Sequence, residues 1–305
     1  MIQRFAEFLQ TFFFILCYTD MDRLKIAIQK SGRLSEKSLQ LLGECGIHFD
    51  SSTHRLVSLS QNFPLEILYL RDDDIPQYVF DHVADVGIVG ENIIEEKGKV
   101  LPVAERLGFA KCHLALALPR SVEYPGLQWF HKKRIATSYP RILSAYLDHN
   151  KLEADIHEIS GSVEIAPGIG LADAIFDIVS TGSTLISNGL KEVQTVMHSQ
   201  AVMIHAPGLQ AAKQDLLNQL LFRIRAVQTA KNNKYILLNA PNESLEKIMS
   251  YIPGMKSPTI MPLAMEGWSS LHSVVNEDDF WEVIGKLKEC GAQGILVIPI
   301  EKMII

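Results

Sequence analysis

Apolar and polar positions along this chain fall into blocks that read as strand, loop and helix, several times over. A short apolar run at 24–28 leads into a polar loop at 29–33. Helical spacing then runs from 34 to 45 and stops at Gly46. Further strands are expected at 67–71 and 83–90. Between them, Asp72, Asp73, Asp74 and Pro76 have the composition of a helix start. Carboxylates there meet the positive end of the helix dipole, and proline needs no donor in the first turn. A metal site is the less favoured reading of the three aspartates. The run 111–118, closed by Pro119, reads as a central buried strand that crosses between lobes. A strand at 133–137 enters a Thr-Ser-Tyr turn, and 141–149 reads as a helix. A short strand follows at 156–159, and 193–204 reads as one strand returning to the first lobe. Leu216, Leu217, Leu220, Leu221 and Ile224 mark the apolar face of a helix at 215–231.

Beyond that helix the order changes. A strand at 234–240, a helix at 241–251, strands at 259–264 and 271–275, a helix at 278–290 and a strand at 295–300 give βαββαβ, the ferredoxin-like arrangement. No catalytic cluster stands out there, so the module reads as a ligand sensor or an assembly surface. At the other end, Arg4 precedes an apolar run at 12–18. That run is too short to span a bilayer and lacks a small-residue cleavage site. Residues 1–20 are read as a leader outside the fold, with Met21 as the start. No membrane association is expected.

Charge and cysteine content narrow the class. The net charge of −6 argues against a general nucleic-acid surface. The four cysteines, Cys17, Cys45, Cys112 and Cys290, have no paired spacing, so they read as reduced thiols of a cytoplasmic protein.

The chemistry concentrates at 170–184. An apolar segment ends there in Ser180-Thr181-Gly182-Ser183-Thr184, and the residues after it can begin a helix. A strand, a small hydroxyl loop and a helix start converge backbone N–H groups and hydroxyls on one point, a layout suited to phosphate. An ordinary Ser/Thr turn has the same outline. Asp173 and Asp177 stand four apart, on one face of a strand. A second strand–loop–helix at 24–34 offers Lys30, Gly32 and Arg33 to an anion. The runs at 83–90 and 171–177 both place Ala-Asp before apolar residues. They predict two related α/β lobes, each offering an aspartate and a loop to a shared cleft.

Six segments together carry a family resemblance: 27–34, 71–76, 85–92, 134–140, 161–167 and 170–184. In this order they resemble the long form of ATP phosphoribosyltransferase, the first enzyme of histidine biosynthesis, from about Met21 to the C-terminus. The resemblance implies an α/β fold of two periplasmic-binding-protein-like lobes with a C-terminal ACT-like regulatory domain. The expected boundaries are 21–113 with 201–228 for lobe I, 114–200 for lobe II and 229–305 for the regulatory domain. It implies transfer of phosphoribosyl from PRPP to N1 of ATP, with pyrophosphate leaving and Mg²⁺ assisting, held mainly by substrate phosphates. It implies a homo-oligomer, dimeric or hexameric, inhibited by histidine.

Carried over residue by residue, Asp173, Asp177, Ser180, Thr181, Gly182, Ser183 and Thr184 match the family's PRPP loop. Phe176 stands where other phosphoribosyltransferases have a first acidic residue, leaving Asp177 to serve the ribose hydroxyls alone or with Glu164. Arg33 and Arg55 match arginines for the nucleotide or the leaving pyrophosphate. With Asp177 they form the expected catalytic set. Lys30, Asp85 and Tyr139 are further cleft residues, and Thr259 and His272 are chosen for histidine because they lie on paired central strands. The chemistry needs donors on the leaving group and negative potential at the ring, not a covalent nucleophile. Two alternatives stay open: a two-lobed non-enzymatic ligand sensor, and a nucleobase phosphoribosyltransferase.

Overall fold

The computed structural model describes residues 23–49 and 56–305. Arg55 and the leader lie outside the described residues. The described chain divides into two compact units. One runs up to Gln40 and includes Ile47–Leu217. The other comprises Leu41–Gly46 and Asn218–Ile305.

The first unit holds two sheets. In the first lobe the sheet order is β2-β3-β1-β4-β11-β5, built from β1 (Leu24–Gln29), β2 (Val57–Leu59), β3 (Leu65–Leu70), β4 (Val86–Gly90), β5 (Val103–Arg106) and β11 (Ala201–His205). Helices α1 (Arg33–Glu44), α2 (Ile75–Phe80) and α3 (Glu91–Lys97) alternate with these strands. The second lobe has the order β10-β6-β9-β7-β8, from β6 (Cys112–Pro119), β7 (Arg134–Thr137), β8 (Asp155–Glu158), β9 (Ala174–Val179) and β10 (Leu190–Ser199). Its helices are α4 (Pro140–His149) and the short α5 (Ser183–Ser187).

The two sheets repeat one topology. In the first, β3, β1 and β4 run parallel, and β11 and β5 follow antiparallel. In the second, β8, β7 and β9 run parallel, and β6 and β10 follow antiparallel. Central strands buried on both faces explain the near-continuous apolar runs. Ile26, Ala27 and Ile28 are fully buried, as are Ile135 and Ala136.

The expected strand at 193–204 is two strands. It breaks at Gln200, where the chain leaves β6 as its partner and takes up β4. A strand cannot keep one register across two sheets. The other crossing lies at 107–111, ahead of β6, so β6 itself sits wholly in the second lobe. The two crossings run side by side: Leu107 N–H donates to Ala201 O at 2.9 Å and Ala201 N–H to Phe109 O at 3.0 Å.

The helix after β11, α6 (Ala211–Lys231), begins four residues before the expected start at 215. The second unit then follows the order β12 (Asn233–Pro241), α7 (Leu245–Tyr251), β13 (Thr259–Pro262), β14 (Trp268–Asn276), α8 (Glu277–Glu289) and β15 (Gln293–Pro299). All its strand pairs are antiparallel, in the sheet order β13-β14-β12-β15 of a ferredoxin-like fold. One face carries Ile236, Leu238, Ala240 and Leu271, buried with Ile248 of α7 and Leu287 of α8.

Candidate active site

Parallel strands end together, so each lobe collects its βα loops at one sheet edge, where α/β proteins place their ligands. Tyr139 shows that the two edges meet. It ends the loop after β7 and packs against the core of its own lobe and against that of the other. Its hydroxyl is held well above the ordinary tyrosine value, first by burial and then by the carboxylates of Asp177, Asp72 and Asp73. Two of those aspartates belong to the first lobe and one to the second. The expected helix-start reading also fits the run at Asp72–Asp74, a 3₁₀ turn leading into α2, with Pro76 in its first turn.

The loop after β9 carries the expected anion layout. Gly182 adopts φ 74°, a left-handed conformation that costs glycine little, and it caps α5. The exposed hydroxyls of Ser180, Thr181, Ser183 and Thr184 surround it, with Thr181 Oγ1 and Ser183 Oγ 3.0 Å apart. The first N–H groups of a helix have no partner inside it, which makes this end a donor cluster. Helix α5 stops at Asn188-Gly189, where Gly189 turns left-handed at φ 69° and the chain enters β10.

Asp177 sits just before that loop, half-buried, on the face of β9 that also carries the buried Ile175 and Val179. Its carboxyl is pushed up to about 6, by burial first, against an opposing hydrogen bond from Ile178 N–H at 2.7 Å, and with the nearby Glu164 carboxylate adding to the rise. Alanines keep its face of the sheet shallow: Asp177 lies opposite Ala115, and Ile175 lies between Ala117 and Ala136. Phe176 points the other way. It is fully buried in the second lobe's core with Leu114, Leu116 and Leu118. Strand alternation makes position 176 a core position here, so the departure from the acidic pair has a packing cause.

Asp173 is not brought to this loop. It stands at the opposite end of β9, roughly 20 Å from Ser180 at the usual strand rise. There Arg134 holds it through Nη2 to Oδ1 at 2.9 Å, Nε to Oδ2 at 3.3 Å and its backbone N–H to Oδ2 at 3.0 Å. That partner holds its carboxyl below the usual range. Asp85 is placed likewise at the start of β4. Buried, it accepts from Lys25 N–H at 2.8 Å and takes Lys213 Nζ at 2.8 Å on both oxygens. The expected lobe repeat therefore exists, but its aspartates go to the edge away from the βα loops. In both lobes an aspartate clamps the start of the neighbouring parallel strand and is neutralised by one cation. Asp85 and Asp173 are thus removed from the substrate contacts expected of them.

Lys30, on the loop between β1 and α1, and Arg33, the first residue of α1, are exposed; Gly32 turns between them at φ 95°, and Lys30 N–H donates to Leu70 O at 2.8 Å. In the second unit, Thr259 and His272 pair across β13 and β14. Both line one cavity of about 570 Å³ with Tyr235, Lys256, Ser257 and Ser273. His272 is half-buried, with Nδ1 2.7 Å from Tyr235 Oη and Nε2 3.1 Å from Ser270 Oγ. Sequence reasoning missed Glu96 of α3, Arg134 and Lys213. Lys213 carries no motif, and the segment 134–140 gives no sign of the clamp that Arg134 makes. Glu96 has an indirect signal in the Tyr139-Pro140 helix start, which lacks a capping residue of its own.

Two α/β lobes meeting at their βα loops, with a hydroxyl loop behind an ionisable aspartate, have the layout of an enzyme of the phosphoribosyltransferase class. The family model for ATP phosphoribosyltransferase matches residues 71–226, and that for the HisG C-terminal domain matches 230–302. The chain belongs to the ATP phosphoribosyltransferase family. The ATP phosphoribosyltransferase of Azobacteroides pseudotrichonymphae is 61% identical over 282 residues, covering 92% of this chain and 100% of that one. The enzyme of the same name from Cytophaga hutchinsonii is 59% identical over 281 residues, covering 92% of this chain and 98% of that one. Among solved structures, the ATP phosphoribosyl transferase (HisG:HisZ) complex from Thermotoga maritima is similar with a TM-score of 0.58 and 29% identity. That match covers 66% of this chain and 96% of that one. The non-enzymatic alternative falls with this membership.

Proposed function

We propose that this chain transfers the phosphoribosyl group of PRPP to N1 of ATP with release of pyrophosphate, the first step of histidine biosynthesis, and that histidine inhibits it. The observation that carries the reading is Asp177 beside the loop 180–184, at an edge where both lobes contribute carboxylates. In this reading Ser180, Thr181, Gly182, Ser183 and Thr184 hold the 5′-phosphate through hydroxyls and backbone N–H groups. Asp177, with Glu164 beside it, accepts from the ribose hydroxyls and stabilises positive charge as the C1–pyrophosphate bond breaks. Lys30 and Arg33 face the leaving pyrophosphate or the nucleotide, and the family resemblance gives Arg55 the same role. Tyr139 borders the acceptor.

The donors fit Mg²⁺, a hard cation served by carboxylate oxygens and phosphates. Among the described residues no group of three or more His, Cys, Asp or Glu side chains gathers to hold a metal. Asp177 and Glu164 would hold the ion together with the substrate phosphates, which would supply most of its ligands. When bound, it neutralises charge on the leaving pyrophosphate.

The regulatory role falls to 229–305, and the two lobes divide at the crossings, 107–111 and Gln200, so that 112 and 113 go with lobe II. Thr259 and His272 contact histidine in the 570 Å³ cavity. The enzyme works as a cytoplasmic homo-oligomer, dimeric or hexameric. No helix among the described residues is long and apolar enough to cross a membrane. The test is to incubate the chain with ATP, PRPP and Mg²⁺ and follow product absorbance and pyrophosphate. Turnover that needs both substrates supports the reading. Turnover with adenine, guanine or uracil in place of ATP defeats it.

A further inference from the structure

Helix α4 begins without a cap of its own. Its N-cap residue, Tyr139, makes no side-chain capping bond, and Pro140 has no N–H to satisfy. Leu143 N–H reaches Tyr139 O at 3.1 Å, which leaves Arg141 and Ile142 as the orphan donors of the first turn. One carboxylate takes both. Glu96, on α3 of the other lobe, accepts from Arg141 N–H at 3.0 Å and from Ile142 N–H at 3.0 Å, one on each oxygen.

The contact is reinforced beside it. Gly98 closes α3 in a left-handed turn, and the Arg141 guanidinium lies so close that a Cβ at Gly98 would collide with it. The far end of α3 is tied to the crossing between lobes. Asn92 N–H donates to Ser199 Oγ at 3.1 Å, Ser199 Oγ donates to Asn92 Oδ1 at 2.8 Å, and Glu91 N–H donates to Gln200 O at 3.0 Å. Helix α3 thus spans from the crossing to the start of α4. The residue immediately before α4 is Tyr139, which packs in both lobes.

We propose that Glu96 is a positioning residue for phosphoribosyl transfer: by capping α4 from the other lobe, it fixes the Tyr139 turn where the two lobes meet and sets their spacing. This rests on reading 180–184 as the PRPP loop. The loop that takes the 5′-phosphate lies in the second lobe alone, whereas in-line transfer to the acceptor nucleotide needs both lobes in register. Loss of the cap therefore weakens transfer to ATP more than the hold on PRPP.

The test uses the full chain with Glu96→Ala and Glu96→Gln. Binary PRPP affinity should stay within about twofold, while kcat/KM for ATP falls about tenfold in E96A, the size of effect one helix cap supports. E96Q should fall between, because its amide oxygen keeps one of the two bonds. Amide hydrogen exchange at Arg141 and Ile142 should speed up in E96A. Constants within twofold of wild type in E96A overturn the proposal. So does a parallel loss of PRPP affinity, ATP reactivity and Tm, which marks a bulk stability effect. An inactive wild type defeats the proposed function and this inference with it. An active wild type with an indifferent E96A defeats this inference alone.

Discussion

Asp177 is held in a state that opposes folding. Its folded value of about 6 lies above the ordinary 3.8, chiefly through burial. Between those values the folded chain keeps a proton that the unfolded chain has released. The group's contribution to stability is therefore complete below pH 3.8 and lost as the pH rises through 6. Above that, an ionised carboxylate is kept half-buried at a cost of up to about 3 kcal/mol. Asp177→Asn should accordingly raise Tm at pH 7–8, with the gain fading toward pH 4, and lower kcat/KM about a hundredfold. Thermal unfolding across pH, beside steady-state assays, checks both. A lowered Tm at pH 8 would show that Asp177 is stabilised by its neighbours instead. Phe176 completes the argument. Introducing the first acid of other phosphoribosyltransferases with Phe176→Asp puts an unpaired carboxylate in a closed core and should cost more than about 4 kcal/mol, while Phe176→Leu should fold with near-normal kinetics. Soluble yield and Tm decide. The alternation of 175, 176 and 177 was readable from the chain; that Asp173 stands at the end of β9 away from the hydroxyl loop was not. Four-residue spacing gives a face but not which end of the strand a residue occupies.

At the scale of elements, the sequence carried the repeat but not its meaning. The two Ala-Asp pairs mark related strands, β4 and β9, and the register confirms it: Ile26 faces Val86 as Ile135 faces Ala174. What the aspartates do depends on Lys213 and Arg134, which lie 128 and 39 residues away in sequence. The same blindness hid Glu96, because a cap supplied from another lobe leaves only a missing capping residue as its trace. The two clamps should differ in strength. Lys213 and Asp85 keep 21% and 8% of their side-chain surface exposed, against 42% and 33% for Arg134 and Asp173. Lys213→Ala strands a buried carboxylate and should cost about 3 kcal/mol. Arg134→Ala should cost distinctly less, since water screens the partner it leaves. In chemical denaturation, equal losses would contradict this ranking. Neither variant should alter kcat in the protein that remains folded, because both clamps stand away from the βα loops.

For the whole molecule, the change of rhythm after residue 231 was the clearest signal, because βαββαβ has few ways to fold and the observed sheet order follows it. The crossings between lobes were harder to see. A strand that changes sheets at a single residue, as at Gln200, keeps its apolar pattern on both sides. The second unit has its own core and its own cavity, and the cavity lacks the carboxylate and hydroxyl-loop pairing of the catalytic edge. Thr259, His272, Lys256 and Tyr235 instead offer hydroxyls, an imidazole and an ammonium, a set able to hold the carboxylate and the polar side chain of a free amino acid. Binding energy there can alter turnover only if histidine binds one conformation better than another. Removing its contacts should therefore change inhibition without changing basal catalysis. His272→Gln and Thr259→Val should each raise the half-inhibiting histidine concentration about tenfold or more, with kcat and both KM values in the absence of histidine within about twofold of wild type. Calorimetric titration of histidine into the same variants should show a matching loss of affinity. Unchanged inhibition in both variants would remove this cavity as the histidine site, while loss of basal activity would show that these residues support the catalytic unit directly.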